Sequence, residues 1–112
     1  MEKNGMEKDN KNGDIEYEIK EGKGHVKEYY EIGELKFEGK FLNGERDGKG
    51  KEYDYDGKLR FEGEYLNGLR NGKGKEYNDG ELIFEGEYLN GKRNGKGKEY
   101  DYDGKLIFEM NI

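Results

Sequence analysis

Along most of the chain, residues of two kinds alternate one for one. Phe84, Gly86 and Tyr88 interleave with Glu85, Glu87 and Leu89, a period of two that marks a strand with two unlike faces. Helical spacing is poor, and a glycine every few residues would cost about 1 kcal/mol each inside a helix. Asn-Gly and Asp-Gly pairs, as at Asn90-Gly91 and Asp103-Gly104, punctuate the alternation. Asn, Asp and Gly tolerate positive φ and so mark hairpin turns. The pattern predicts strands over "FEGEYL" and "GKGKEYDY", with turns in the "NGKRN" and "DGKLI" regions.

The hairpin is written several times. Phe37, Phe61, Phe84 and Phe108 follow one another at 24, 23 and 24 residues, and Phe41, Tyr65 and Tyr88 come four residues after the first three. "GKGKEY" recurs at 48–53, 72–77 and 95–100. A weaker copy runs from Ile15 to Lys36, where His25-Val26 is a two-residue insertion that keeps strand parity. The units are therefore 14–36, 37–60, 61–83 and 84–107, with a terminal strand at 108–112. Residues 1–13 are polar and aperiodic and read as a disordered tail. Successive hairpins pair in order, which gives an all-β fold: an elongated, single-layer antiparallel meander of stacked β-hairpins. Nine strands at ~4.8 Å make it on the order of 40 Å long.

Such a ribbon needs a core. A glycine between two aromatics on one face leaves a slot for a ring of the next hairpin. Repetition then predicts an aromatic ladder of Phe37, Phe41, Tyr53, Phe61, Tyr65, Tyr77, Phe84, Tyr88, Tyr100 and Phe108. The terminal strands differ: Tyr17 and Met110 stand where Gly86 stands in its repeat. One reading makes them caps. The other makes Ile15, Tyr17, Ile19, Phe108, Met110 and Ile112 a self-association surface, because an edge strand exposes unpaired backbone. A contact between the two ends would then propagate head to tail into filaments. Glu16, Glu18 and Glu109 read equally as guards against that.

Composition first points elsewhere. Hydrophobic residues make up 29% and charged residues 43% of the 112 positions, the range of disordered chains. The 13% of aromatics, recurring in register, argue for order. Ser, Thr, Gln, Ala, Pro, Trp and Cys are absent. That removes hydroxyl and thiol nucleophiles other than tyrosine, disulfides, thiolate metal sites and N-glycosylation acceptors. The net charge of −6 is spread out, with six acids and six bases in 37–60. No like-charged block predicts a nucleic-acid partner. No run approaches a membrane span and no secretory h-region is seen, so a cytoplasmic location is expected.

Candidate chemistry is thin. "EYDYDGKLRFE" (52–62) imitates a calcium loop, but its final Glu comes one place early and no helices flank it. "GLRNGKGK" (68–75) imitates a phosphate loop that is one residue short and lacks the Ser or Thr for Mg²⁺. His25 stands alone. Paired carboxylates such as Asp54 and Asp56 repeat with the units, and no apolar pocket is evident to raise their pKa. The better idea is a basic row of Arg46, Lys49, Lys51, Arg70, Lys73, Lys75, Arg93, Lys96 and Lys98, aligned by stacking and able to meet phosphates of an anionic membrane surface. Glu52, Glu76 and Glu99 beside it favour a solubilising charge ladder instead. No catalytic residue, metal or cofactor is expected, and an enzyme is not.

The unit F-E-G-E-Y-x-N-G-x-R-N-G-K-G-K-E-Y, with Phe84, Gly86, Tyr88, Gly91, Gly95 and Gly97 in its Gly-aromatic pattern, resembles the MORN repeat. The stretch "KEYYEIGELKFEG" (27–39) is similar to the variant repeat of bacterial YwqK-type proteins. The resemblance covers about 14–112 and is strongest over 37–107. It implies a rod-like sheet of stacked hairpins and a non-catalytic role as scaffold or interaction module, through protein partners, self-association or phosphoinositide-rich membranes. This chain departs from the usual pattern in placing Tyr100 and Tyr102 one position late and in adding a residue to the "DGKLIF" turn.

Overall fold

The computed structural model describes the backbone at 3–9, 13–20 and 22–111, and side-chain surroundings at 22–110. Ten strands, β1 Lys3–Asp9, β2 Gly13–Lys20, β3 Lys23–Tyr29, β4 Leu35–Leu42, β5 Glu45–Tyr53, β6 Leu59–Leu66, β7 Leu69–Asn78, β8 Glu81–Leu89, β9 Lys92–Tyr100 and β10 Leu106–Asn111, follow in chain order. They form one sheet, β1 to β10 without a crossover, and every pair is antiparallel. The principal extents are 47 × 29 × 18 Å. This is the meander that the repeat predicts, with ten strands rather than nine.

The tenth strand, Lys3–Asp9, falls within 1–13, the segment read as a disordered tail, of which residues 1, 2 and 10–12 lie outside the described residues. Lys3–Asp9 pairs with β2, with Gly5 opposite Tyr17 and Glu7 opposite Ile15. Backbone hydrogen bonding does not require apolar side chains, so a polar segment beside an open edge can extend the ladder. β2 is consequently an interior strand, and the edges of the described sheet are β1 and β10. Of the residues expected at the edges, Ile15, Tyr17 and Ile19 lie on an interior strand, and Ile112 lies outside the described residues.

Turn chemistry explains the uneven spacing of the repeats. Asn43-Gly44, Asn67-Gly68, Asn90-Gly91 and Asp79-Gly80 have positive φ at both residues, 50–53° at Asn or Asp and 84–88° at Gly, the two-residue hairpin geometry. The Asp54–Lys58 loop is longer. Oδ1 of Asp54 accepts the backbone N–H groups of Asp56 and Lys58, each at 2.9 Å. The same cap recurs at Asp101 with Asp103 and Lys105. Between these two loops the chain uses the shorter Asp79-Gly80 turn, which is where the spacing drops to 23.

Register is carried by a transverse row of glycines. Gly39, Gly50, Gly63, Gly74, Gly86 and Gly97 are successive Cα partners across β4 to β9. Val26 on β3 and Met110 on β10 continue the row at either side. Three β-bulges, after Gly39, Gly63 and Gly86, sit opposite Gly48, Gly72 and Gly95, whose φ values are 93°, 105° and 87°. A residue at such φ in the bulge favours glycine and turns the strand more sharply.

Candidate functional surfaces

The two faces of the sheet do different work. On one face Phe37, Phe61 and Phe84 are wholly buried, although the sheet is a single layer. Each ring lies on two partner glycines. A Cβ placed on Gly39 or Gly50 would stand 2.7–2.8 Å from the Phe37 ring, and Gly63 with Gly74, and Gly86 with Gly97, make the same floor for Phe61 and Phe84. An arginine closes the top, with its guanidinium carbon 3.9 Å (Arg46 on Phe37), 4.0 Å (Arg70 on Phe61) and 4.0 Å (Arg93 on Phe84) from the ring centroid. Tyr65 and Tyr88 of the following hairpins close the sides edge-on, so that Phe37, Tyr65, Phe61, Tyr88 and Phe84 run as one chain of T-shaped contacts at 5.2–5.8 Å. Each such contact contributes about 0.5–1.5 kcal/mol beyond burial of the ring.

Carboxylates hold the lids. Glu52 accepts Arg70 through both oxygens, at 3.0 and 3.1 Å, and also the hydroxyl of Tyr65. Glu76 takes Arg93 at 3.0 Å through each oxygen, and the hydroxyl of Tyr88. In the first copy Glu28 binds Arg46 through one oxygen, and Phe41 has no hydroxyl to add. Burial opposes the charge on Glu52, but the hydrogen bonds from Arg70 and Tyr65 outweigh it, so the carboxyl titrates below its ordinary value. Glu76 shows the same balance, with Arg93 and Tyr88. Burial and the neighbouring carboxylate push the Tyr65 and Tyr88 phenols far above theirs.

The other face is an open trough. Its floor is the glycine row, and its walls are Lys49, Lys51, Lys73, Lys75, Lys96 and Lys98 alternating with Glu38, Glu62, Glu64, Glu85, Glu87 and Glu109. One wall alternates sign strand by strand: Lys27, Glu38, Lys51, Glu62, Lys75, Glu85, Lys98 and Glu109 are successive partners. Tyr53, Tyr77 and Tyr100 donate to Glu38, Glu62 and Glu85 on this face. Burial first, then the carboxylate, pushes the Tyr53 and Tyr77 phenols up to about 12. The trough encloses about 1190 Å³, ample for a small molecule, but small-molecule sites are lined mostly by apolar side chains and this one is lined by charge.

The candidate residues thus fall into new groups. Five of the ten predicted ladder residues form the continuous buried chain. Phe41 packs against it partly buried. Tyr53, Tyr77 and Tyr100 belong to the trough face, and Phe108 is 54% exposed. The basic row does not form. Arg46, Arg70 and Arg93 are committed to ring lids on one face, and the six lysines stand among glutamates on the other. Alternation puts residues of odd offset on opposite faces, which a list of recurring positions conceals. The lid carboxylates are Glu28, to which the repeat pattern assigns no role, and Glu52 and Glu76, which read from the sequence as part of a solubilising ladder. Their signal is present as a Glu eight or nine places before each ladder Phe. His25 is exposed at the end of the trough. Among the described residues no group of three or more His, Asp or Glu is placed to hold a metal ion, and no helix is long and apolar enough to cross a membrane.

This geometry defines a class: a quasi-one-dimensional β-repeat ribbon, in which each hairpin completes the core of its neighbour. The MORN repeat family matches residues 61–81 and 84–105, and the MORN repeat variant matches 46–67, together more than half of the chain. The chain belongs to the MORN-repeat family. No curated protein matches it closely.

Proposed function

We propose that the chain is a non-catalytic interaction module of the cytoplasm, a scaffold that binds protein through its trough and sheet edges, self-association included. The engagement of Glu52, Arg70, Tyr65 and of Glu76, Arg93, Tyr88 as ring lids supports the non-catalytic part of this reading. The observation that carries the reading is a contrast within the repeat. Phe84 is 0% exposed and its counterpart Phe108 is 54% exposed, because Phe84 has a following hairpin and Phe108 has none among the described residues. An exposed apolar strip on an edge strand is a site for adding a strand. Sedimentation velocity over a hundredfold concentration range tests this. Growth in mass that is lost in Phe108→Lys is expected; a single monomer throughout would refute self-association and leave only external partners.

A second reading, a peripheral adaptor on anionic phospholipid headgroups, draws on the six exposed lysines. Among the described residues none of them lies within 4.0 Å of a carboxylate. Their equal number of interleaved glutamates opposes it. Binding to phosphatidylserine vesicles that disappears in salt supports it, and no binding at low salt removes it.

A further inference from the structure

We propose that β10 pairs antiparallel with β1 of a second copy of the chain, with Phe108, Glu109 and Met110 opposite Glu7, Met6 and Gly5 of that copy. The inference rests on the reading above and specifies its partner and register. Exposure first locates the surface. Leu106, Ile107 and Phe108 are 52%, 60% and 54% exposed in succession. Their counterparts Leu82, Ile83 and Phe84 are half-buried, half-buried and buried. What separates the two sets is one strand laid along the outer side.

Which strand fits follows from parity. Even strands β4, β6 and β8 carry the Phe-Glu-Gly pattern, and odd strands β5, β7 and β9 carry Gly-Lys-Gly-Lys-Glu. Every interior neighbour of an even strand is odd. β10 is even, so the side it leaves unpaired among the described residues calls for an odd strand. β1 is odd by position and also by register. Its Gly5 falls in the row of Tyr17, Val26 and the glycines, and its Glu7 falls in the row that holds Ile15 and Glu28. A second copy placed beyond β10 therefore meets it with an antiparallel strand and continues the rows: Glu7 comes beside Phe108 as Glu52 lies beside Phe61, and Glu109 faces the neutral Met6 instead of a like charge. Two β10 strands paired about a two-fold axis would set even against even, a neighbour that occurs nowhere in the sheet. Met110 in the glycine row is no obstacle, since β2 and β3 already pair with Tyr17 opposite Val26. Such a contact is heterologous and does not close on itself, so it builds a filament.

The backbone of β10 is disposed to accept it. Gly39 and Gly50 are a close pair, a Cβ on the first reaching within 2.6 Å of the second's Cα, which is the non-hydrogen-bonded type. The flanking pair Glu38 and Lys51 is then the one that exchanges hydrogen bonds. Glu109 occupies the position of Glu38 in its strand, so its N–H and C=O point away from β9.

The chain has no cysteine, which permits a clean register test. Met6→Cys and Glu109→Cys are prepared as separate full-length variants, mixed and oxidised. Facing residues of a hydrogen-bonded antiparallel pair lie about 5.5 Å apart at Cα, inside the range a disulfide spans. The expected result is a mixed disulfide that forms at least tenfold faster than that of Lys8→Cys with Glu109→Cys. Glu109→Pro, which removes the outward N–H alone, is expected to abolish mass growth. Glu109→Cys coupling chiefly to itself would overturn this register while leaving self-association standing. No disulfide from a monomeric mixture would overturn both.

Discussion

The glycine floor makes the most direct prediction, because two partner glycines should respond differently to the same methyl group. Gly63 and Gly74 face each other under Phe61. Neither has positive φ, so alanine is conformationally admissible at both, and the loss of unfolded-state entropy favours it by about 0.4–1 kcal/mol. Against that stands the space. A Cβ on Gly63 would lie 2.6 Å from Cα of Gly74 and 2.6 Å from the carbonyl oxygen of Lys73, where ordinary contact begins at 3.4 Å. The shortfall of about 0.8 Å is against backbone and can be relieved only by spreading the strands, so Gly63→Ala should destabilise by about 2–3 kcal/mol net, at the upper end of overpacking costs. A Cβ on Gly74 meets rings instead, Phe61 at 2.6 Å and Tyr88 at 3.0 Å. Gly74→Ala should cost about 1–2 kcal/mol and be largely relieved by Phe61→Leu relative to Phe61→Leu alone. Urea unfolding of the three single variants and the two double variants measures this. A Cβ on Gly63 also meets Phe61 at 2.8 Å, so partial relief there is expected; equal costs for both glycines, or full relief of Gly63→Ala by Phe61→Leu, would refute the claim that the Gly63 slot is walled by backbone as well as by the ring and the Gly74 slot by rings alone.

Arg70→Lys keeps the charge but loses both the two-oxygen grip on Glu52 and the flat contact with Phe61; a loss of about 1–2 kcal/mol in urea unfolding is expected. Asn67 has φ of +52°, so Asn67→Val should cost about 1–2 kcal/mol by the same measurement, since a β-branched residue is strained there. The folded-state carboxyls of Glu52 and Glu76 titrate below their unfolded values. Between those values the unfolded chain binds more protons, so their contribution is complete above the unfolded pKa and is lost as pH falls through the folded one. The phenols of Tyr65 and Tyr88 are raised, and their contribution is complete below the unfolded pKa and is lost as pH rises above it. Thermal unfolding across pH should show a plateau at neutrality with decline on both sides, and the Glu52→Gln, Glu76→Gln double variant should flatten the acid limb.

Much of this architecture is legible in the amino-acid sequence, for reasons that are local. Alternation of period two, the φ demands of Asn-Gly and Asp-Gly, and the recurrence of Phe, Gly and Tyr act within a few residues. They determine strands, turns and the order in which hairpins stack. Phe37, Phe61 and Phe84 as core, and glycine as the slot beneath them, follow from the same arithmetic. Tertiary structure decided the relations that run across strands. Arg46 and Lys49 look like one basic motif, yet the pleat sends the first over Phe37 and the second into the trough. Tyr65 and Tyr77 look like equivalent rungs, yet one packs against Phe61 and the other donates to Glu62 on the opposite face. Lys3–Asp9 carries no apolar signal because its place in the sheet comes from the unpaired backbone of β2, and backbone pairing leaves no mark in side-chain pattern. Local φ preference and period are written in each residue. The face a side chain reaches follows the pleat, but its partner depends on register and bulges, so partners exist only once the strands lie side by side.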